Sequence, residues 1–525
     1  NSASLSLKPF GACLSPDFTA LDGIRFYLKT QFYGPQGTDF EDGDEVRLWL
    51  DDLRLVDQDG AGEIRWMADE GIDRYDIYFD TLTHGSHPSP ALTSVGVITP
   101  GTCTPGSVES GGYFHQIANA EIADLTIWNA PPVEKILKTQ TAPSTEKPLQ
   151  IHAGRGEYEI VQLIVQSQNA ADLPISVSDL VDGKNTIPVS QIDLFRVDYL
   201  PLSQLSDQYG RLTDWPDPLY PLSQGQTVYF PAGENQPIWL QIKVPGGTPA
   251  GDYVGEIQIG SARVPITLTV LDLYVSKSAM LPVVVGVDWD SLLSTYNADQ
   301  TCRNQAQADL TAALTDYGLT PLPVESGSPE GLIYPLTDYL VETAHQAQTQ
   351  PGATVWWSTT GLDDPPMPNP VVIDRPGMEA RILPWLAWID RVDGLYYARA
   401  DDWDPNPWEQ PFSNDLFNGD GFLIYPPNDP SIGQNPCDPN SNRIVPSIRL
   451  MLLREGLEDY AYLQRLNGGL PQIDQENDSD AWAEMIIGSR TAFLRQPTAL
   501  ATVRLAIADA LQDKQSDYYL PLFLH

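Results

Sequence analysis

The strongest constraint on the fold is a change of pattern after Leu281, where short apolar strands begin to alternate with helices. The predicted strands are LPVVVGVDWD, GLTPLPV, LIYPL, ATVWWSTT and GLYYARADDW, and the helices between them are QAQADLTAALTDYG, VETAHQAQTQ and GMEARILPWLAWIDRV. Such alternation indicates a parallel sheet with helices packed against it. Roughly five strands are too few to close a (β/α) barrel of about eight, so an incomplete, open barrel-like sheet is expected.

The first half of the chain is rich in predicted strands. GIRFYLKTQFYG, EVRLWLDDLRLVD, RYDIYFDTL and EIADLTIWN alternate apolar and polar residues, and YEIVQLIVQ, IDLFRVDYL, TVYFPA, IWLQIKVP, DYVGEIQIG and RVPITLTVLDL follow. We therefore predict a multidomain protein, with a β module over 1–133, an immunoglobulin-like β-sandwich over 134–275 and the α/β domain over 276–525. Two further helices are predicted near AWAEMIIGSRTAFLR and ATVRLAIADALQD.

The segment VPSIRLMLLREGLEDYAYLQRL combines acids and arginines, which could form either an active site or a structural helix. Its apolar residues follow a helical stripe, Ser447 is a good first residue and Asn467-Gly468 a good stop. Arg454 and Glu458 are four apart and are predicted to pair on the helix surface. Arg449 is expected to tie the helix, through Glu455 or Asp459, to a neighbouring loop. We interpret this helix as a structural brace.

Charge and cysteine content favour an exported protein. The 70 acids and 30 bases give a net charge of −40, which repels nucleic acids. No apolar run is long enough for a membrane span. The first residue is Asn1, with no Met and no hydrophobic leader, which suits a processed secreted protein, although a shortened chain would begin in the same way. Of three possible pairings of the four cysteines, Cys13–Cys103 and Cys302–Cys437 keeps each bridge within one predicted domain, and the expected location is extracellular or the cell surface.

No cofactor signature is present, and calcium is the one ion that the sequence suggests. The loops DFEDGDE and VDQDGAGE are rich in Asp, but neither completes an EF-hand. They are interpreted either as solvated turns or as calcium ligands.

Several ordered motifs resemble glycoside hydrolase family 123 and the related domain of unknown function 4091. These motifs are ATVWWSTT, NPVVIDRPGMEARILPWLAWIDRVDGLYYARADDW, GDGFLIYPP and PSIRLMLLREGLEDYAYL. The upstream IWLQIKVPGGTPAGDYVGEIQIG resembles the β-sandwich that precedes the catalytic barrel in that family, so the resemblance covers roughly residues 136–470. Residues 1–133 more weakly resemble a jelly-roll-type β-sandwich.

The resemblance implies a retaining β-N-acetylhexosaminidase-like fold in which an adjacent Asp-Glu pair, late in a central strand, performs substrate-assisted hydrolysis. In this chain, adjacent Asp-Glu occurs only at Asp44-Glu45 and Asp69-Glu70, in the N-terminal module. Between GLTPLPV and ATVWWSTT the chain is too short for the central βα units, of which about three are absent at roughly 30 residues each. The sequence therefore predicts a shortened barrel without the catalytic pair.

Candidate glycan-binding residues follow the predicted strands, where barrels place their chemistry. They are Asp288, Trp289, Trp357, Tyr397, Asp401, Asp402, Trp403 and Trp408. Aromatic rings can stack on sugar rings and carboxylates accept hydroxyl protons. Core packing is the alternative for each ring, above all for Trp356 and Trp357, which point to opposite faces. A retained acid pair for hydrolysis is a further alternative for Asp401 and Asp402.

The leading hypothesis is a secreted, non-hydrolytic protein that binds glycans or forms part of an extracellular assembly. The expected partners are glycans and further subunits, including copies of the chain itself, and neither nucleic acid nor a membrane. Uncovered sheet edges and the N-terminal stretch NSASLSLKPFG could pair with a neighbour. The alternative is an active glycosidase on N-acetylhexosamine-containing glycans that uses acids other than the family pair.

Overall fold

The computed structural model divides the chain into two compact units, residues 1–110 and 111–525. Beyond eight short N-terminal strands, it describes residues 125–142, 149–207, 210–294, 300–361, 363, 365, 367–404, 406–413, 417–426, 445–473, 477, 479–495 and 497–519. The side chains of Cys13, Cys103, Cys302 and Cys437 and the two Asp-rich loops lie outside this description, so the disulfide and calcium predictions stay predictions.

The first unit is built mostly from antiparallel pairs. Its strands are β1 (Ala3–Ser4), β2 (Ser6–Leu7), β3 (Asp17–Phe18), β4 (Ile24–Leu28), β5 (Val46–Leu48), β6 (Glu63–Ile64), β7 (Tyr75–Phe79) and β8 (Thr93–Ile98). Strands β5, β4, β7 and β8 form a four-stranded antiparallel sheet in that order. The alternating segments predicted around β4, β5 and β7 are therefore confirmed as strands.

The second unit begins with two mostly antiparallel sheets. Their strands are β9 (Leu125–Ala130), β10 (Leu149–Arg155), β11 (Tyr158–Ser167), β12 (Ala171–Val177), β13 (Leu180–Val181), β14 (Thr186–Ile187), β15 (Ile192–Pro201), β16 (Asp214–Leu222), β17 (Gln226–Phe230), β18 (Asn235–Lys243), β19 (Gly251–Ile259) and β20 (Ala262–Tyr274). One sheet has the order β10-β20-β19-β12-β17, with β13 and β14 attached, and the other β16-β15-β18-β11-β9. Both sheets contribute to one buried core, which contains Ile151 and Ile266 from the first and Val161 and Leu240 from the second.

The predicted boundary at residue 133 is wrong by one strand. The sequence pattern assigns β9 to the N-terminal module, but β9 pairs antiparallel with β11 along Leu125–Ala130. The reason is that both faces of β9 are buried, because Ile127 and Trp128 point to opposite sides of the strand and are 0% and 2% exposed. The alternation of apolar and polar residues identifies β9 as a strand, but it cannot show which strand pairs with it.

The α/β part contains a five-stranded parallel sheet. Its strands are β21 (Val283–Val287), β22 (Leu319–Pro323), β23 (Leu332–Pro335), β24 (Val355–Ser358) and β25 (Gly394–Tyr397), in the order β22-β21-β25-β24-β23. The helices are α1 (Trp289–Ser294), α2 (Gln300–Asp316), α3 (Val341–Gln348) and α4 (Met378–Ile389). The predicted strands and helices of this region are all confirmed, because each strand is one short apolar run bounded by Gly, Pro or polar residues.

The two faces of this sheet differ in burial. On one face, Val285, Leu395 and Trp357 are at most 4% exposed. On the other face, Trp356 and Tyr396 are only half-buried. The second face therefore remains partly open to solvent.

Within the described residues, the C-terminal part adds short strands and three helices. They are β26 (Phe412–Ser413), β27 (Phe417–Asn418), β28 (Ile424–Tyr425), β29 (Val445–Pro446), α5 (Ile448–Asn467), α6 (Asp480–Ala483) and α7 (Pro497–Tyr519). The predicted helix in AWAEMIIGSRTAFLR is largely wrong, because only the short α6 is helical and turns follow it. The final predicted helix is confirmed as α7. Among the described residues, no helix has the length and apolar character needed to cross a membrane.

Helix α5 begins and ends where predicted. The Ser447 hydroxyl accepts a hydrogen bond from the Leu450 amide, and Gly468 ends the helix in the left-handed region at φ 77°. The surface location predicted for the pair Arg454–Glu458 is wrong, because both residues are 1% exposed, although their charges still attract each other. Arg454 instead donates to Glu455 at 2.9 Å. The helix is buried on all sides, and its charges meet opposite charges from neighbouring elements.

Candidate functional site

The carboxyl ends of β21 and β25 are joined by a charge network. Asp401 is 0% exposed and accepts hydrogen bonds from the Asp288 amide at 3.0 Å and from Arg399 Nε at 2.8 Å. Arg399 also lies 3.3 Å from the Asp288 carboxylate. Burial raises the pKa of Asp401, and these donors oppose the rise. An acid with no exposed surface cannot reach a glycosidic oxygen, so this network holds strand ends together.

The Asp288 carboxylate has a second structural role. Its Oδ1 accepts a hydrogen bond from the Ser291 amide at 2.9 Å, at the start of α1. Trp289, the first residue of that helix, is 9% exposed. Both residues are predicted from the sequence to bind a glycan, and their contacts here are those of a strand-to-helix turn.

Two further predicted aromatic residues are buried. Trp357 is 0% exposed and packs edge-on against Tyr339, with ring centroids 5.3 Å apart. The Tyr397 hydroxyl accepts from the Gly421 amide at 2.9 Å and lies 3.5 Å from Oδ1 of Asp420. Burial, followed by the Asp420 charge, raises the pKa of Tyr397 well above its ordinary value. Trp357 fills the core, as the alternative interpretation holds.

The loop after β25 is pinned by its tryptophans. The indole N–H of Trp403 donates to the Ile424 carbonyl at 2.9 Å, and that of Trp408 donates to the Pro426 carbonyl at 2.7 Å. The Trp408 ring lies 5.2 Å from the Tyr425 ring. The Asp402 amide donates to the Gly421 carbonyl at 2.9 Å. Both tryptophans are half-buried, so part of each remains accessible.

Sequence reasoning missed a pair of acids, Asp363 and Asp420, beside the ends of β24 and β25. Asp363 is 3% exposed and accepts from the Thr360 amide at 3.0 Å. Asp420 accepts from the Gly361 amide at 2.9 Å. Burial raises the pKa of Asp363 to about 6, and the charge of Asp420 adds to the rise. The sequence offered one sign of this pair, because the loops GLDDPP and NGDG place acids shortly after predicted strands.

A cavity lies at the opposite end of the sheet, at the amino-terminal ends of β23 and β24. It has a volume of about 460 Å³, and Glu330, Leu332, Thr354 and Trp356 are among the residues that line it. The sequence-based prediction places Trp357 in the site and leaves Trp356 to packing. The structure reverses their exposure, since Trp357 is buried and Trp356 is half-buried beside the cavity.

The described part of the chain holds no cluster of three or more His, Cys, Asp or Glu residues suited to a metal ion. The candidate calcium loops of the N-terminal module lie outside that part.

Two family models match the chain. Residues 135–261 match the glycoside hydrolase 123 N-terminal domain, and residues 332–466 match the glycoside hydrolase 123 catalytic domain. The first match covers most of the two antiparallel sheets. The second begins at β23 and ends within α5. No curated protein matches the sequence.

Among the solved structures that match, a glycoside hydrolase shares the fold. It is a family 123 glycoside hydrolase from Clostridium perfringens, with a TM-score of 0.58 and 11% identity over 76% of this chain and 100% of that chain. A pilin subunit from Bacillus cereus matches with a TM-score of 0.15 and 8% identity over 55% of this chain and 73% of that chain, too low to indicate a common fold.

Proposed function

Because this chain is a glycoside hydrolase family 123-like protein, we propose that it is a secreted glycan-binding protein that has lost hydrolysis. The observation that carries the proposal is the strand order β22-β21-β25-β24-β23. The first and last strands along the chain, β21 and β25, are neighbours, as in a closed barrel. The consecutive strands β22 and β23 lie at opposite edges. This order supports a barrel from which the central βα units are missing.

The missing units are those in which the family resemblance places the catalytic Asp-Glu pair. Only residues 324–331 connect β22 to β23, and they include no adjacent Asp-Glu. Substrate-assisted hydrolysis needs an acid at the leaving oxygen and a carboxylate at the acetamido group. Neither has a position in this sheet, whereas the aromatic residues that could hold a sugar remain.

A glycan array tests the proposal. We expect the purified chain to be retained on oligosaccharides that contain N-acetylhexosamine and to leave them intact after prolonged incubation. Failure to bind any glycan would contradict the binding function, and release of a free sugar would contradict the loss of hydrolysis.

Active hydrolysis is the second candidate, and Asp363 favours it. A carboxyl group with a pKa of about 6, next to a second acid, has the properties of a general acid near neutral pH. Its 3% exposure argues against contact with substrate. Turnover that Asp363→Asn abolishes would support this candidate.

Self-assembly is a further candidate, favoured by the outer strands of the sheet. Each outer strand has one neighbour within the described sheet, and Leu332 on β23 is 44% exposed. An open edge offers backbone groups for pairing with another chain. Light scattering with and without a calcium chelator tests this candidate. A monomer in both conditions, unchanged by deletion of residues 1–11, would contradict it.

A further inference from the structure

We infer that the cavity beside Trp356 is a binding site for a neutral pyranose sugar. It lies at the amino-terminal ends of the strands, whereas Asp363 and Asp401 follow their carboxyl ends. The inference rests on the proposed glycan-binding function and assigns it a place. The residues that line the cavity include Glu330, Gly331, Leu332, Gly352, Thr354 and Trp356. All of them lie before or at the beginning of β23 and β24.

The Trp356 indole is fixed in position. Its Nε1 donates to the Glu330 carbonyl at 3.1 Å and to the Thr354 hydroxyl at 3.2 Å. The Thr354 hydroxyl in turn donates to the same carbonyl at 3.0 Å. A ring that is held before the ligand arrives loses little conformational entropy on binding.

Glycines create the space that the indole occupies. On the neighbouring strand, a methyl group at Gly394 would overlap with the six-membered ring of Trp356. Gly331 has φ +128°, and a methyl group there would overlap with Thr354. The chain thus lacks side chains at two positions where they would overlap with the indole or with Thr354, which holds it.

The chemistry of the lining fits a sugar. An indole and the exposed Leu332 offer apolar surface for the C–H face of a pyranose ring. The exposed Glu330 carboxylate can accept hydrogen bonds from sugar hydroxyls. The same carboxylate and the net charge of −40 repel sulfated and carboxylated sugars. The site therefore favours neutral sugars.

An array of neutral, sulfated and carboxylated oligosaccharides, followed by calorimetry with the best neutral ligand, tests the site. We expect Trp356→Ala to weaken binding by about ten-fold, the equivalent of one lost aromatic contact. Trp356→Phe should retain part of the affinity. Gly394→Ala should weaken binding while every aromatic ring is kept, because the added methyl group displaces the indole. Trp403→Ala tests the rival candidate at the other end of the sheet. The matched control is Tyr229→Ala, which removes an exposed aromatic ring on β17.

The outcomes separate the inference from the proposed function. If glycan binding survives Trp356→Ala in a folded variant, or if Trp403→Ala abolishes it instead, the proposed site is wrong. The proposed function would still stand. Binding of acidic glycans alone would overturn the specificity for neutral sugars. Absence of binding to every glycan on the array would overturn both the site and the function.

Discussion

Arg449 on α5 and Asp217 on β16 form a buried ion pair, with Nη2 of the arginine 3.0 Å from Oδ2 of the aspartate. Both residues are at most 1% exposed. Arg449 also donates to the carbonyls of Val371 and Gly419, and Asp217 accepts a hydrogen bond from the Tyr425 hydroxyl. One arginine thereby connects an antiparallel sheet with the loops after β24 and β25. The prediction that Arg449 acts through Glu455 or Asp459 is wrong, because its ionic partner is Asp217, on a strand far away in sequence.

Removal of this guanidinium should be strongly destabilising. We expect Arg449→Ala to lower the free energy of unfolding by about 3–5 kcal/mol, because it leaves the Asp217 carboxylate buried without its counter-ion. Urea denaturation monitored by circular dichroism measures the change. The matched control is Arg263→Ala, which removes the exposed partner of Glu256 and should cost less than about 1 kcal/mol. Similar costs for both variants would contradict the structural role of Arg449.

A buried cluster of five carboxyl and three guanidinium groups joins the two sheets to the helices. The carboxyl groups belong to Glu157, Glu159, Glu455, Glu458 and Asp459, and the guanidinium groups to Arg381, Arg454 and Arg504. Acids exceed bases by two. Within the described residues, Oε1 of Glu159 and Oε2 of Glu458 have no hydrogen-bond partner. Burial raises the pKa of both carboxyl groups well above 4.5.

The raised pKa values of Glu159 and Glu458 predict that stability falls as pH rises. At pH below about 4.5 both folded and unfolded chains hold the protons, whereas above it the unfolded chain releases them first. The stabilisation is therefore lost as pH rises through the raised pKa values, and each tenfold difference in proton affinity between the two states corresponds to about 1.4 kcal/mol. Glu159→Gln should reduce this decline, and the exposed control Glu484→Gln should not. Thermal unfolding from pH 4 to 8 measures it, and identical profiles for Glu159→Gln and the unsubstituted chain would refute it.

The cysteine pairing is a separate prediction. We expect Cys13–Cys103 and Cys302–Cys437, because each bridge then lies within one predicted domain and the chain is proposed to be secreted. Peptide mapping without reduction identifies the pairs. Four free thiols, or a bridge between Cys103 and Cys302, would refute the assignment.

Local patterns predicted the elements of the α/β part well, because each element is specified by nearby residues. Strand β21 is one apolar run, and α5 begins at Ser447 and ends at Gly468 through contacts with its own backbone. The order of the strands could not be predicted from the sequence in this way. It depends on which parallel strands meet, and the short connection between β22 and β23 was the one available sign.

Contacts between distant residues account for the errors at the site. Glu458 on α5 accepts a hydrogen bond from the Tyr158 amide across 300 residues, so the burial of charges on α5 had no local signal. Alternation showed that Trp356 and Trp357 face opposite sides of β24, but it could not show which side is covered. Trp357 is buried and packs against Tyr339, whereas the side of Trp356 stays partly open.

The central claim is that the chain binds glycans without hydrolysing them. The most direct test is to incubate samples of one preparation with a neutral oligosaccharide of N-acetylhexosamine and with an aryl N-acetyl-β-hexosaminide. Calorimetry records binding of the oligosaccharide, and mass spectrometry records products. Asp363→Asn and Asp401→Asn are assayed in parallel. We predict saturable binding, no detectable product and no difference in products among the three proteins. Product formed by the unsubstituted chain and lost in either folded variant would contradict the loss of hydrolysis and establish an active glycosidase.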